Sequence, residues 1–261
     1  MSEAPPPSPV TPGSLDVEGV RLESVADLML RMRANRASNQ SLWYRGHANF
    51  EWDLQPKIAR NDGHLENEVE MLKHFRQDAG PRLRDRPTSQ WEWIFLAQHY
   101  GLPTRLLDWS ENPLIGLFFA VESDNADMPK PTAGALYELN PTQLNQHSLG
   151  VQNPGVIMFD HDEQLEAYLP GSLSGRMEPV AAIASRSFDR IISQSGTFTI
   201  THKNHVLRTR ENEAPAFQKM IIPSYAKPMI REELADLNIR ASTVYPDLDH
   251  LAAYVGERHF R

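Results

Sequence analysis

Between residues 89 and 121 two strongly apolar helical patterns are separated by a short stretch crowded with polar and ionisable groups, Gln98-His99-Tyr100-Gly101-Leu102-Pro103-Thr104-Arg105-Leu106-Leu107-Asp108-Trp109-Ser110-Glu111-Asn112-Pro113. Ser89 with Glu92 reads as a capping box, and Trp91, Ile94, Phe95 and Gln98 follow at the spacing of one helix face. Gly101 then supplies a left-handed stop and Pro103 prevents resumption, while Asn112 caps the next helix and Pro113 takes its first position. Leu114, Leu117, Phe118 and Val121 form the second apolar stripe. The stretch from Thr104 to Glu111 is thus expected to be short, non-helical and pinned at both ends. Buried polar groups left unpaired cost roughly 1 to 3 kcal/mol each. Either the groups of this junction satisfy one another, or a ligand sits there, and the second reading is preferred.

The rest of the chain sets the frame. Its 261 residues, 40% hydrophobic, are enough to support one core. No apolar run approaches a membrane span and the N-terminus lacks the basic and apolar regions of a secretory signal, so a cytoplasmic protein is expected. The absence of cysteine excludes disulfides, a nucleophilic thiol and cysteine-ligated metal; His202 and His205 lack a third nearby ligand, and no metal site is expected. A formal charge of -8 argues against broad electrostatic capture of nucleic acid, and Lys73, Arg76, Arg82, Arg84 and Arg86 are read as a solvated helix end rather than a basic cleft.

Residues 1–14 are Pro-rich and read as a disordered tail, leaving 15–261 as one domain. Ser24 and Asp27 open a helix carrying Val25, Leu28, Met29 and Met32; Leu42-Trp43-Tyr44 begins a strand; Leu65, Val69, Leu72 and Phe75 mark a second helix. Strand-like runs follow at 135–139, 156–159, 197–200 and 220–223, then a helical pattern from Lys227 to Leu237, a last strand at Thr243-Val244-Tyr245 and a closing helix with Leu248, Leu251 and Val255. The expected class is α+β, a helix-rich N-terminal half packed on a mainly antiparallel sheet from the C-terminal half.

Trp43-Tyr44-Arg45-Gly46-His47, the segment from Leu96 to Ser110, Asn112-Pro113 and Phe118-Phe119-Ala120 together resemble the FRG domain family, named for an aromatic-Arg-Gly signature. The resemblance extends through Arg190, Gln194, Gly196, Phe198 and Thr199, then Ile221-Ile222-Pro223 and Tyr245 to Asp249. It implies an accessory or effector domain of the kind associated with bacterial toxins and phage defence. A more distant resemblance, to ADP-ribosyltransferases, rests on order: Arg45-Gly46 on an early strand, Asp108-Trp109-Ser110 leading into an apolar helix, and Gln194 before a later strand. It implies an ADP-ribosyltransferase-like fold and NAD as substrate, with Gln194 standing where a catalytic Glu is expected.

Cleaving NAD at the nicotinamide bond develops positive charge on ribose, which needs an anion holder for diphosphate, an aromatic face and a polar or anionic partner for the sugar. Arg45 would hold phosphate or sugar oxygens, with Gly46 allowing close approach and Arg105 as the competing phosphate ligand. Tyr44, Tyr100 or Trp109 would stack on the ring, Ser110 would bond ribose, and Asp108, preferred over Glu111, would supply negative charge. The blander alternatives are an Arg45–Asp108 structural ion pair, core roles for the aromatics, a turn or cap role for Ser110, backbone bonding by Gln194 and a structural His99 rather than a general base. A second function class stands beside the enzyme: a non-catalytic module binding a nucleotide, nucleic acid or protein through the same cleft.

Overall fold

A capping box at Ser89 and an Asn112 cap before Pro113 start two helices as their sequences dictate, and both come to rest on one face of a seven-stranded sheet. The computed structural model describes residues 20–35, 41–123, 131–172, 174–175, 177–185, 189–202 and 216–259, and of 189 and 190 only the backbone. The expected tail at 1–14, and His205, lie outside these residues. In chain order the elements are α1 (Val25–Asn35), β1 (Trp43–His47), α2 (Asp62–Glu66), α3 (Glu68–Ala79), α4 (Gln90–His99), β2 (Leu106–Ser110), α5 (Pro113–Val121), β3 (Gly134–Leu139) and α6 (Pro141–Leu149). They continue with β4 (Ile157–Met158), β5 (Val180–Ile183), α7 (Asp189–Ser193), β6 (Gly196–Ile200), β7 (Phe217–Ile222), α8 (Lys227–Asp236), α9 (Ala241–Val244) and α10 (Leu248–His259). Among the described residues no helix is long and apolar enough to cross a membrane.

The class is α+β and the strand order is β4-β5-β6-β2-β1-β3-β7, antiparallel at every pairing except β4 with β5. Its two central strands, β1 and β2, come from the N-terminal half, so the sheet is not a product of the C-terminal half alone. The segment 104–111, expected to be short and non-helical, is so, and it contains the strand β2, which is not among the strand-like runs read from the sequence. Leu107, Asp108, Trp109 and Ser110 do alternate apolar and polar, but over four residues, the shortest run in which that period can be recognised. The helix expected through Leu65 to Phe75 is broken at Asn67 into α2 and α3. Thr243 to Tyr245 is not a strand: Ala241–Val244 is the single turn α9, started by Arg240 N–H donating to the Thr243 hydroxyl at 3.1 Å.

Register explains where the core sits. Tyr44 and Gly46, Leu136 and Glu138, Leu106, Asp108 and Ser110, and Gly196, Phe198 and Ile200 share one face of the sheet. On that face one cluster, with Tyr44, Leu136, Met220 and Ile222, packs α5, α1 and α8, while a second, with Leu106, Phe198 and Ile200, packs Trp91, Ile94 and Phe95 of α4. Between the two clusters, over β2, lie Asp108 and Ser110. The opposite face carries Trp43, Leu107, Trp109, Tyr137 and Leu139 in a third cluster with Leu144 of α6.

Candidate functional site

The cleft over β2 has two adjoining chambers. The larger, of about 180 Å³, is bordered by Tyr44, Arg45, Gly46, Asp108, Trp109, Ser110, Phe119 and Gln194. The smaller, of about 80 Å³, is bordered by Phe95, Gln98, His99, Ile191, Gly196 and Phe198 and shares Asp108, Trp109 and Gln194 with its neighbour. Arg45, Asp108, Ser110 and Gln194, proposed from sequence to converge, therefore border one chamber.

Arg45 reaches it from the far face because β1 and β2 share a single bridged pair, Tyr44 with Ser110, beyond which the ladder is not continued. Its guanidinium donates through Nη1 to the Asp108 carbonyl at 2.6 Å and through Nε to His47 Nε2 at 3.1 Å. The alternative reading, an Arg45–Asp108 ion pair, is not formed, since the bond goes to backbone and not to carboxylate. Burial, only partly offset by the Asp108 charge, holds the Arg45 pKa down at about 10. His47 accepts from Arg45 and so carries its proton on Nδ1, facing the Trp52 carbonyl at 3.3 Å. Burial first, and the neighbouring Arg45 charge second, push the His47 pKa down to about 3.

A stability slope follows. His47 stays neutral in the folded protein, whereas an unfolded chain takes up its proton below pH 6.5. The unfolded state then binds more protons between about pH 6.5 and 3, so stability is full above 6.5 and falls as pH drops through that window. Urea unfolding at pH 4.5 is expected to show a loss of about 2 to 3 kcal/mol relative to pH 7 that His47→Gln removes. An equally steep slope in the variant would assign the loss to other groups.

Asp108 is exposed on an otherwise buried strand. Gln98 Nε2 donates to its Oδ1 at 2.6 Å, and Gln98 Oε1 accepts from the Thr104 hydroxyl. Gln98, the polar member of an apolar helix face, is a site residue that sequence reasoning passed over; its place among Trp91, Ile94 and Phe95 was the available signal. His47, Phe119 and Ile191 were missed as well.

Other assignments change. The Ser110 hydroxyl donates to the Gln194 carbonyl at 2.6 Å and accepts the Asn112 N–H at 3.0 Å, so it ties the end of β2 to the corner before β6 rather than standing ready for ribose. Gln194 donates Nε2 to the Val244 carbonyl at 3.2 Å, fixing its side chain. The Trp109 ring is 3% exposed, on the opposite face, with its indole N–H on Thr199 at 2.9 Å; strand alternation removes it from stacking duty. Tyr100, 66% exposed at the end of α4, borders neither chamber. Tyr44 is 4% exposed in the first cluster, and burial pushes its hydroxyl up to about 12.

Gly46 is where α5 packs on β1, in addition to bordering the larger chamber. A Cβ there would lie 2.1 Å from the Gly116 carbonyl oxygen and 2.3 Å from the Ala120 nitrogen, because α5 rests directly on β1. Arg105 borders neither chamber: it pairs with Glu68 through Nε at 2.8 Å and through Nη2, and donates Nη1 to the Tyr168 carbonyl at 3.1 Å, all buried. In the basic cluster Lys73 pairs with Glu70, Arg76 lies over Trp93, Arg82 bonds the Asp78 carbonyl and Arg86 the Gly80 carbonyl. His202 is buried with its ring edge-on to Tyr168.

No curated protein and no solved structure matches the chain. The family that it does resemble is the FRG domain, whose family model matches residues 40–128, the stretch that runs from the entry to β1 through α4 and β2 and past the end of α5.

Proposed function

We propose that the cleft over β2 binds NAD and that the chain is an ADP-ribosyltransferase-like or NAD-glycohydrolase-like effector of the toxin or phage-defence kind, with Asp108 as its working carboxylate. One observation carries this reading. The order β6-β2-β1 sets side by side the Arg45 strand, the Asp108–Ser110 strand running into α5, and the Gln194 corner that precedes β6. As the ribose–nicotinamide C–N bond breaks, nicotinamide leaves with the bonding electrons, and the positive charge on the sugar is stabilised by the adjacent Asp108 carboxylate. Water, or a hydroxyl or amine of a protein or nucleic-acid acceptor, then bonds the anomeric carbon and releases its proton. Arg45, held by His47 and the Asp108 carbonyl, offers its remaining N–H groups to the diphosphate. Chambers of about 180 and 80 Å³ take the nicotinamide–ribose end and leave the adenosine outside, since sites enclosing drug-sized ligands begin near roughly 300 Å³.

The test is nicotinamide release from NAD by purified protein, with and without acceptors. Asp108→Asn is expected to lower turnover by about 100-fold or more with melting unchanged, because the carboxylate is exposed and its loss leaves no buried group unpaired. A wild-type protein that neither releases nicotinamide nor binds NAD overturns the proposal. A second reading, an FRG-type module that binds a nucleotide, nucleic acid or protein without chemistry, is favoured by Gln194, an amide at the position where a Glu is expected and tied to Val244. Calorimetric binding of a ligand recovered unchanged selects that reading.

A further inference from the structure

Away from the cleft, α10 is a helix of twelve residues of which none is buried. The rings that attach it lie along one side. His250 stacks on Tyr245 with centroids 4.4 Å apart, and Tyr254, one turn on, accepts from Arg240 Nη1 at 2.8 Å with the guanidinium 4.8 Å over its ring. Leu248, Leu251, Ala252 and Val255 recur at i, i+3, i+4 and i+7, the spacing of a stripe that faces a core. Here the stripe lies in solvent: Leu248 is 80% exposed, and Leu251 and Val255 are nearly half exposed. A helix alone in water is marginal below about 12 to 15 residues, and helices of this length draw their stability from having such a stripe covered.

We propose that this stripe is where two copies of the chain associate, α10 against α10, antiparallel about a two-fold axis between Leu251 and Ala252. The helix is complementary to itself in that arrangement. The axis sets Leu248 opposite Val255 of the second copy and Leu251 opposite Ala252, a large side chain on a small one, so the two backbones can approach closely. Charge agrees with shape. Asp247 and Asp249 stand at the N-terminal end, Arg258 and His259 in the last turn, and antiparallel pairing lays the basic end of one helix beside the acidic end of the other. Helical spacing puts Arg258 and Asp247 on the same flank of the stripe, the flank that an antiparallel copy presents to itself, so this pair forms twice by symmetry. Glu257, the acid in the last turn, falls on the far side of the helix. A stripe about 10 Å long buries less than the roughly 1,200 Å² at which stable interfaces begin, so the association is reversible and micromolar.

Sedimentation velocity of the full chain between about 5 and about 500 µM is expected to show the mass rising from 29.6 kDa toward twice that value. Leu251→Glu is expected to hold it at the monomer mass with melting unchanged, because the side chain is exposed. The sequence contains no cysteine, so single introduced ones report the register without background. Two copies of residue 248, or of residue 255, lie about 10 Å apart along the pair, beyond the roughly 7 Å that a disulfide spans. Under a mild oxidant, Leu248→Cys and Val255→Cys are therefore each expected to stay uncrosslinked alone and to form a disulfide dimer when mixed. A parallel pair would crosslink each protein alone, and that result overturns the proposal. So does a dimer that Leu251→Glu leaves intact, or a chain that stays monomeric at the top of the range, whether or not its stripe then binds lipid vesicles.

Discussion

Arg105→Ala is expected to destabilise the protein by about 3 to 5 kcal/mol, because it leaves the Glu68 carboxylate buried without its partner. Both side chains are about 5% exposed or less, the pairing is two-pronged, and the third guanidinium donor closes on the Tyr168 carbonyl. The pair joins the start of α3 to the residue preceding β2, so its loss loosens the support under the strand that carries Asp108. Urea unfolding measures the effect. Replacing both partners by apolar residues, Arg105→Met with Glu68→Leu, is expected to recover much of the loss, since removing both charges also removes the need to desolvate them. A phosphate-binding Arg105 would behave oppositely: affinity would fall with stability intact, and the double change would recover nothing.

That contrast shows where the sequence was readable. Helix starts and stops at Ser89, Gly101 (φ 87°) and Asn112 were legible because each signal is local, a side chain bonding an N–H two or three residues away or a residue tolerating positive φ. The Arg105–Glu68 bond spans 37 residues, and nothing near Arg105 distinguishes a buried ion-paired guanidinium from one waiting for phosphate. The same limit hid β2 and misread Thr243 to Tyr245. A β-branched run became the one-turn α9 whose Val244 carbonyl receives Gln194, a contact 50 residues long. For the cleft, the order of Arg45, Asp108, Ser110 and Gln194 along the chain anticipated their meeting, while their individual bonds did not follow from residue type. Ser110 and Gln194 are largely occupied in holding the corner together, and Asp108 keeps capacity because, among the described residues, only Gln98 donates to its carboxylate.

Gly46→Ala is expected to be unusually damaging for the addition of one methyl group, at about 3 kcal/mol or more. Inserted methyl groups in tight cores usually cost about 1 to 3 kcal/mol when side chains can yield. Here the neighbours are main chain: the Gly116 oxygen at 2.1 Å, the Ala120 nitrogen at 2.3 Å and the Phe119 carbonyl carbon at 2.8 Å, so α5 as a whole must lift. It cannot lift freely. A Cβ on Gly116 would lie 2.7 Å from Tyr44 Cβ and one on Gly134 would lie 2.3 Å from the Ala120 oxygen, so three glycines seat the helix across β1 and β3 together. Raising α5 also moves Phe119, which walls the larger chamber, and strains the Asn112 cap that anchors the Ser110 corner. Melting temperature and soluble yield are therefore expected to fall together, with ligand binding in the cleft lost only alongside the fold. A Gly46→Ala protein that melts normally yet fails to bind ligand would reinstate the opposite view, in which the glycine exists to let a ligand approach the backbone of β1.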